Sequence, residues 1–132
     1  MTGREDFPIF TLEQANLLVP KLIELTEATI RELEAAKSRQ QTQAVIDAAD
    51  SSAAFEAEVS EVLQGWAERV TELGIHPKGY FTCDFRSPDP SAYLCWTYGE
   101  NGVCHTHKVW ETFKDRKPID DPRPNGIAMS LN

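Results

Sequence analysis

The sequence is poor in the residues that cross-link a fold, with three cysteines and three histidines among 132 residues. Three cysteines cannot all pair within one chain, so we expect reduced thiols and a fold that is held by a packed core. No apolar run approaches the length of a membrane-spanning helix, and the first residues lack a basic segment followed by an apolar one. These absences predict a soluble cytoplasmic protein that does not associate with membranes.

Basic side chains are also in the minority, with 13 Lys and Arg against 21 Asp and Glu and a net charge of −8. The whole excess lies in residues 1–74, because residues 75–132 carry seven side chains of each sign. A negative field repels phosphate groups, so we expect neither nucleic acid nor an anionic lipid surface as a partner.

Apolar residues recur at helical spacing in two parts of the chain, which predicts two long helices at about residues 9–38 and 44–73. Thr11 and Gln14 form a capping-box pattern at the start of the first helix. Gly74 is placed to cap the end of the second helix. We expect the two helices to pack against each other as an antiparallel hairpin.

After the second helix the pattern changes from helical to alternating, which predicts a small antiparallel sheet at residues 79–109. Asn101 and Gly102 predict a two-residue hairpin turn, which would place Trp96 opposite His107. The predicted strands are Tyr80–Phe85, Ala92–Glu100 and Val103–Val109.

The order of these elements predicts one domain of the α+β class that spans residues 1–132. It consists of a long N-terminal antiparallel helical hairpin, then a small three-stranded antiparallel sheet, and finally an irregular tail at residues 120–132. Prolines and a glycine in the tail disfavour regular structure there.

Two histidines form the candidate metal site. His105 and His107 lie on one face of the third predicted strand, roughly 6 to 7 Å apart at the backbone. With the carboxylate of Glu111, or less favourably that of Glu100, they would form a set that suits Zn or Fe(II) with open positions. The alternative is that both imidazoles stack on aromatic neighbours and hydrogen-bond locally. No other cofactor is indicated.

A second set of polar residues overlaps with this one and contains Asp84, Glu100, His107 and Arg116. These side chains would hold the sheet against the helices through charge-assisted hydrogen bonds, and such a network needs no ligand. The alternative is a small pocket in which the same residues bind a metal or an anionic metabolite.

Several short motifs occur in a fixed order along residues 9–119 and together resemble the prokaryotic domain-of-unknown-function family DUF2203. They are Phe10-Thr11-Leu12-Glu13-Gln14-Ala15-Asn16 with Pro20, Asp84-Phe85, Leu94-Cys95-Trp96, Gly99-Glu100, His107, and Phe113 with Arg116 and Pro118-Ile119. The resemblance implies no activity. It implies that the positions that matter are Asp84, Cys95, Trp96, Glu100, His107, Phe113 and Arg116. His105 is not part of the family pattern, and Thr106 stands where the family usually has tryptophan.

Two functions follow from these observations. The first is a small interaction or accessory protein with a polar network around His107, whose apolar helix surfaces would pair two copies into a homodimer with a four-helix bundle. The second is a metal-binding module or metal-dependent enzyme that uses His105, His107 and a carboxylate. The sequence names no substrate and does not decide whether the protein is an enzyme.

Overall fold

A computed structural model describes the backbone of residues 6–45 and 48–119 and the side chains of residues 6–45 and 52–119. The tail predicted at residues 120–132 lies outside these described residues. The chain begins with two helices, α1 (Leu12–Ala44) and α2 (Ala48–Glu72), which pack against each other.

The predicted caps of both helices are confirmed. The amide of Gln14 donates to Thr11 Oγ1 at 3.1 Å, and the amide of Thr11 donates to Gln14 Oε1 at 3.0 Å. Gly74 has a φ of +86° just beyond α2, and its amide donates to the carbonyl of Thr71 at 2.8 Å. A side chain at position 74 would also meet Pro8, because a Cβ there would lie 2.6 Å from the proline ring.

The strands that follow form one antiparallel sheet in the order β1-β2-β3-β4-β5, so the α+β class is confirmed. The prediction of three strands is wrong, since the sheet has five. The two missed strands lie at the edges, contain only three and two residues, and include Pro77 and Pro118. Proline is tolerated at a sheet edge but weakens a strand pattern in the sequence. The strands are β1 (His76–Lys78), β2 (Thr82–Arg86), β3 (Ala92–Thr97), β4 (His105–Lys108) and β5 (Lys117–Pro118).

The predicted turn at Asn101 and Gly102 is also wrong. β3 ends at Thr97, and residues 98–104 form a longer connection to β4. Helix α1 holds this connection, because the amide of Val103 donates to the side-chain Oδ1 of Asn16 at 2.7 Å.

The longer connection changes the register between β3 and β4. His107 lies opposite Tyr93 and not opposite Trp96, a shift of three residues. A register shift by an odd number of residues changes which side chains of the two strands share a face of the sheet. His105 therefore lies opposite Cys95, and both histidines lie on the face of the sheet that carries Asp84.

The core lies between the helices and the other face of the sheet. Between the two helices, the indole Nε1 of Trp66 donates to Thr26 Oγ1 at 3.0 Å, and both side chains are buried. Within residues 6–45 and 48–119, neither helix has an apolar stretch of the length needed to cross a membrane. The sheet contributes to this core the side chains of Cys83, Phe85, Leu94 and Trp96.

Candidate functional site

We call the face of the sheet that is opposite the helices the polar face. Its centre consists of Asp84 on β2, Cys95 on β3 and His107 on β4. These three side chains alternate with core residues along their strands, which directs them away from the helices. They are nevertheless buried, with relative exposures of 2%, 0% and 7%. Buried polar side chains are costly unless they are paired, so their partners are informative.

His107 is bonded at both ring nitrogens. Its Nδ1 lies 2.8 Å from the carbonyl of Lys108, and its Nε2 lies 3.1 Å from Oδ1 of Asp84. A carbonyl can only accept, so Nδ1 carries a hydrogen and donates it. Nε2 is then the ring nitrogen that contacts Asp84.

The thiol of Cys95 lies beside this pair. Burial raises the pKa of Cys95 to about 12, the charge of Asp84 and a hydrogen bond to it add to the rise, and Arg116 opposes it. The guanidinium of Arg116 lies 3.9 Å from the Cys95 sulfur. The thiol is consequently protonated at neutral pH and is not a ready nucleophile.

A second cluster is centred on Glu100. Its Oε2 lies 3.1 Å from Arg116 Nη1 and 3.2 Å from His105 Nδ1. The amide of Thr97 donates to its Oε1 at 2.9 Å, which fixes the carboxylate against the end of β3. Through Arg116 this cluster touches the Cys95 sulfur, so the two clusters form one connected network.

A cavity of about 500 Å³ lies over Asp84, Cys95 and His107. Its first wall is the end of β1 and the turn that follows it, and its second wall is the segment that follows β4. The cavity is lined by Lys78, Gly79, Tyr80, Thr82, Asp84, Tyr93, Cys95, Thr97, His107, Val109, Glu111, Thr112 and Phe113.

The four residues predicted as a polar network lie in two contacting pairs. Asp84 pairs with His107, and Glu100 pairs with Arg116, with Cys95 between the pairs. The two remaining family-pattern positions, Trp96 and Phe113, have different surroundings.

Trp96 lies on the helix side of the sheet, and its indole donates to the carbonyl of Glu100 at 2.9 Å. The ring of Phe113 packs 4.2 Å from the guanidinium carbon of Arg116. Both aromatic residues therefore contact members of the Glu100 cluster and help to position it.

The residues predicted as metal ligands divide between the Glu100 cluster and the cavity. His105 lies 3.2 Å from Oε2 of Glu100 and is not a member of the group that Asp84, Cys95 and His107 form. Glu111 lines the cavity, and its Oε1 accepts a hydrogen bond from the amide of Lys108 at 2.7 Å. His107 is the predicted ligand that lies at the floor of the cavity.

Sequence reasoning missed Lys78 and Tyr80, which lie at the mouth of the cavity. Both belong to the β1–β2 hairpin, and β1 was missed because of its proline. It also missed the approach of Cys95 to Asp84 and His107, since the predicted register placed Cys95 on the opposite face from both histidines.

The sequence profile of a family described as "Uncharacterized conserved protein (DUF2203)" matches residues 8–119. The chain belongs to DUF2203. No curated protein and no solved structure matches it. The DUF2203 match spans both helices and all five strands of the described sheet, and it therefore includes every residue of the two clusters.

Proposed function

We propose that this DUF2203 protein binds a divalent transition metal, Zn or Fe(II), through Asp84, Cys95 and His107. The observation that carries the proposal is that one ligand atom of each residue lies within 4.8 Å of the other two. Three protein ligands below a cavity leave a coordination position open, as in catalytic rather than structural zinc sites. Among the described residues, these are the side chains of metal-binding type that come together as a group of three.

The hydrogen bond at Nδ1 of His107 supports this proposal. Because Nδ1 donates to the carbonyl of Lys108, Nε2 is the nitrogen that remains for a ligand, and it points at Asp84. Metal-bound histidines are commonly oriented by such a bond from the second ring nitrogen to a carbonyl.

Metal binding at this site would be linked to the release of protons. A metal ion would displace the proton of the Cys95 thiol, whose pKa burial raises to about 12. The affinity for metal should therefore rise with pH, because protons compete for the same atoms. In this proposal Glu100 and His105 do not bind the metal but hold Arg116 against Cys95.

The test is metal analysis of protein that is purified without a His tag, together with titration of the apoprotein with Co(II). We expect one metal per chain and a Co(II) spectrum with a thiolate charge-transfer band. The variants Asp84→Asn, Cys95→Ser and His107→Gln should each weaken binding by about tenfold or more.

The matched control is His105→Gln, which removes an imidazole from the same strand and should leave the Co(II) spectrum unchanged. The absence of stoichiometric Zn, Fe, Mn or Ni together with the absence of a Co(II) spectrum would overturn the proposal. If His105→Gln weakened Co(II) binding as much as the three ligand variants do, the site would instead be the set predicted from the sequence, His105, His107 and Glu111.

The second candidate function is a homodimeric interaction or accessory protein. The observation that favours it is the exposure of two large apolar side chains on the helices, Leu17 at 76% and Leu63 at 40%. Apolar groups on an exposed helix face are a starting point for a helical dimer interface. The cytoplasmic location and the absence of nucleic-acid binding stay predictions.

A further inference from the structure

The cavity over the proposed metal site has a polar floor and carries a large exposed apolar side chain on each of its walls. Tyr80 forms part of the first wall and is 98% exposed. Val109 and Phe113 form part of the second wall and are also exposed. Large apolar groups that face each other across a cavity and remain exposed are a favourable surface for the apolar part of a small ligand.

The backbone of the first wall is strained. Tyr80 and Phe81 have φ values of 55° and 60°, in the left-handed region that side chains other than glycine rarely adopt. Phe81 is anchored, because its ring packs edge to face against Trp66 with 5.2 Å between the centroids. This anchor holds the turn so that the neighbouring Tyr80 projects at the mouth of the cavity, and strain of this kind is concentrated at binding sites.

A cation lies between this wall and the floor. Nζ of Lys78 lies 4.0 Å from Oδ2 of Asp84, and about half of its side chain is exposed. With the proposed metal in place, the ion and Lys78 would bring three positive charges, and Asp84 with Cys95 would bring two negative ones. The floor would then carry one excess positive charge, which favours a ligand with a single negative charge.

One further carboxylate faces the cavity from the second wall. Glu111 is held there by the amide of Lys108 at 2.7 Å. Glu111 follows β4 and belongs to the second wall, whereas Lys78 ends β1 and belongs to the first. A ligand anion would therefore be drawn towards the floor and Lys78 and repelled from the second wall.

We infer that the cavity binds a small monocarboxylate that carries a flat apolar group. The carboxylate occupies the space between the open metal position and Lys78, and the apolar group lies between Tyr80 and Phe113. This inference rests on the proposed function, since the metal supplies part of the positive charge.

The test uses the Co(II)-loaded full chain and three probes, which are benzoate, acetate and benzylamine. We expect benzoate to change the Co(II) spectrum and to bind about tenfold more tightly than acetate, because only benzoate buries a ring. Benzylamine carries the same ring with the opposite charge and should leave the spectrum unchanged.

Three variants separate the contributions. Lys78→Met should weaken benzoate binding about fivefold or more while the chain still binds one Co(II) ion, and the control Lys114→Met, at a position outside the cavity lining, should have no effect. Phe113→Ala should reduce the preference for benzoate over acetate, because it removes an apolar group from the second wall.

Failure of Co(II) to bind would contradict the proposed function itself. Normal Co(II) binding with no response to benzoate, or with equal affinity for benzoate and acetate, would overturn the ligand inference alone. Tighter binding of benzylamine than of benzoate would overturn it too, because it would show that the cavity selects a cation.

Discussion

At the scale of single residues, the three cysteines differ in burial, and their thiols should therefore differ in reactivity. Cys83 lies in the core and Cys95 on the polar face, and both are fully buried. Cys104 is exposed in the connection between β3 and β4. Burial raises the pKa of both buried thiols, and Asp84 adds to the effect at each of them. Only the exposed thiol should therefore be reactive in the folded protein.

The prediction concerns alkylation of metal-free native protein with iodoacetamide at pH 8. Mass spectrometry should find one adduct at Cys104, and three adducts after unfolding in denaturant. Modification of Cys95 should stay slow at pH 8, because the thiolate is the reactive form and burial raises the pKa of this thiol to about 12. Rapid modification of Cys95 at pH 8 would contradict the burial and the protonation of this thiol.

Part of the candidate site could be predicted from residue types and part could not. Residue types nominated Asp84, Glu100, His107 and Arg116; in the structure Asp84 contacts His107, and Glu100 contacts Arg116. The meeting of Asp84 and His107 with Cys95 depends on the pairing of three strands, which the residue types alone do not determine. A register error of odd length removes such a contact completely, because it exchanges the faces.

At the scale of elements, the helices were the most predictable part, since their spacing and caps are local signals. The contact between the two helices depends on particular side chains. Trp66 of α2 donates to Thr26 of α1 through a buried hydrogen bond. Thr29, one turn further along α1, is equally buried, but its hydroxyl donates to the carbonyl of Leu25 in the same helix.

These two threonines make a matched pair of variants. Thr26→Val should lower the free energy of unfolding by about 1–3 kcal/mol, because it leaves the indole of Trp66 buried without an acceptor. Thr29→Val should cost less than about 1 kcal/mol, because the carbonyl of Leu25 keeps its helical donor. Urea denaturation of both variants measures the difference. Equal losses would show that the interhelical hydrogen bond contributes little.

The connection between β3 and β4 shows why a local turn signal failed. Asn101 and Gly102 favour a tight hairpin, but Asn16 of α1 accepts from the amide of Val103 and holds the longer connection. Gly102 lies close to the side chain of Asn16, because a Cβ at position 102 would lie 2.9 Å from Oδ1 of Asn16. This contact joins residues far apart in the sequence, and no local pattern predicts it.

A variant tests the role of Asn16. Asn16→Ala should lower stability by about 1–2 kcal/mol and speed the hydrogen exchange of the Val103 amide, because that amide loses its acceptor. Asn101→Ala is the control, since Asn101 is exposed in the same connection and should change neither quantity. Unchanged exchange at Val103 in Asn16→Ala would show that other contacts hold the connection.

At the scale of the whole molecule, self-association is the property to measure. We expect light scattering to give about twice the chain mass of 14.8 kDa at micromolar concentration. Leu17→Lys and Leu63→Lys should shift the mass towards that of one chain, because each places a charge on an exposed apolar position of a helix. A mass of one chain for the native protein across this range would remove the homodimer prediction.

The prolines at the two edges of the sheet have a consequence for aggregation. Pro77 in β1 and Pro118 in β5 each remove a backbone donor from a strand of only three or two residues. An incoming strand from another molecule would find too few amide hydrogens to form a ladder, so both edges are protected against edge-to-edge polymerisation. The two short strands that the sequence pattern did not predict thus end the sheet, and replacement of either proline by valine would restore an amide hydrogen at a sheet edge.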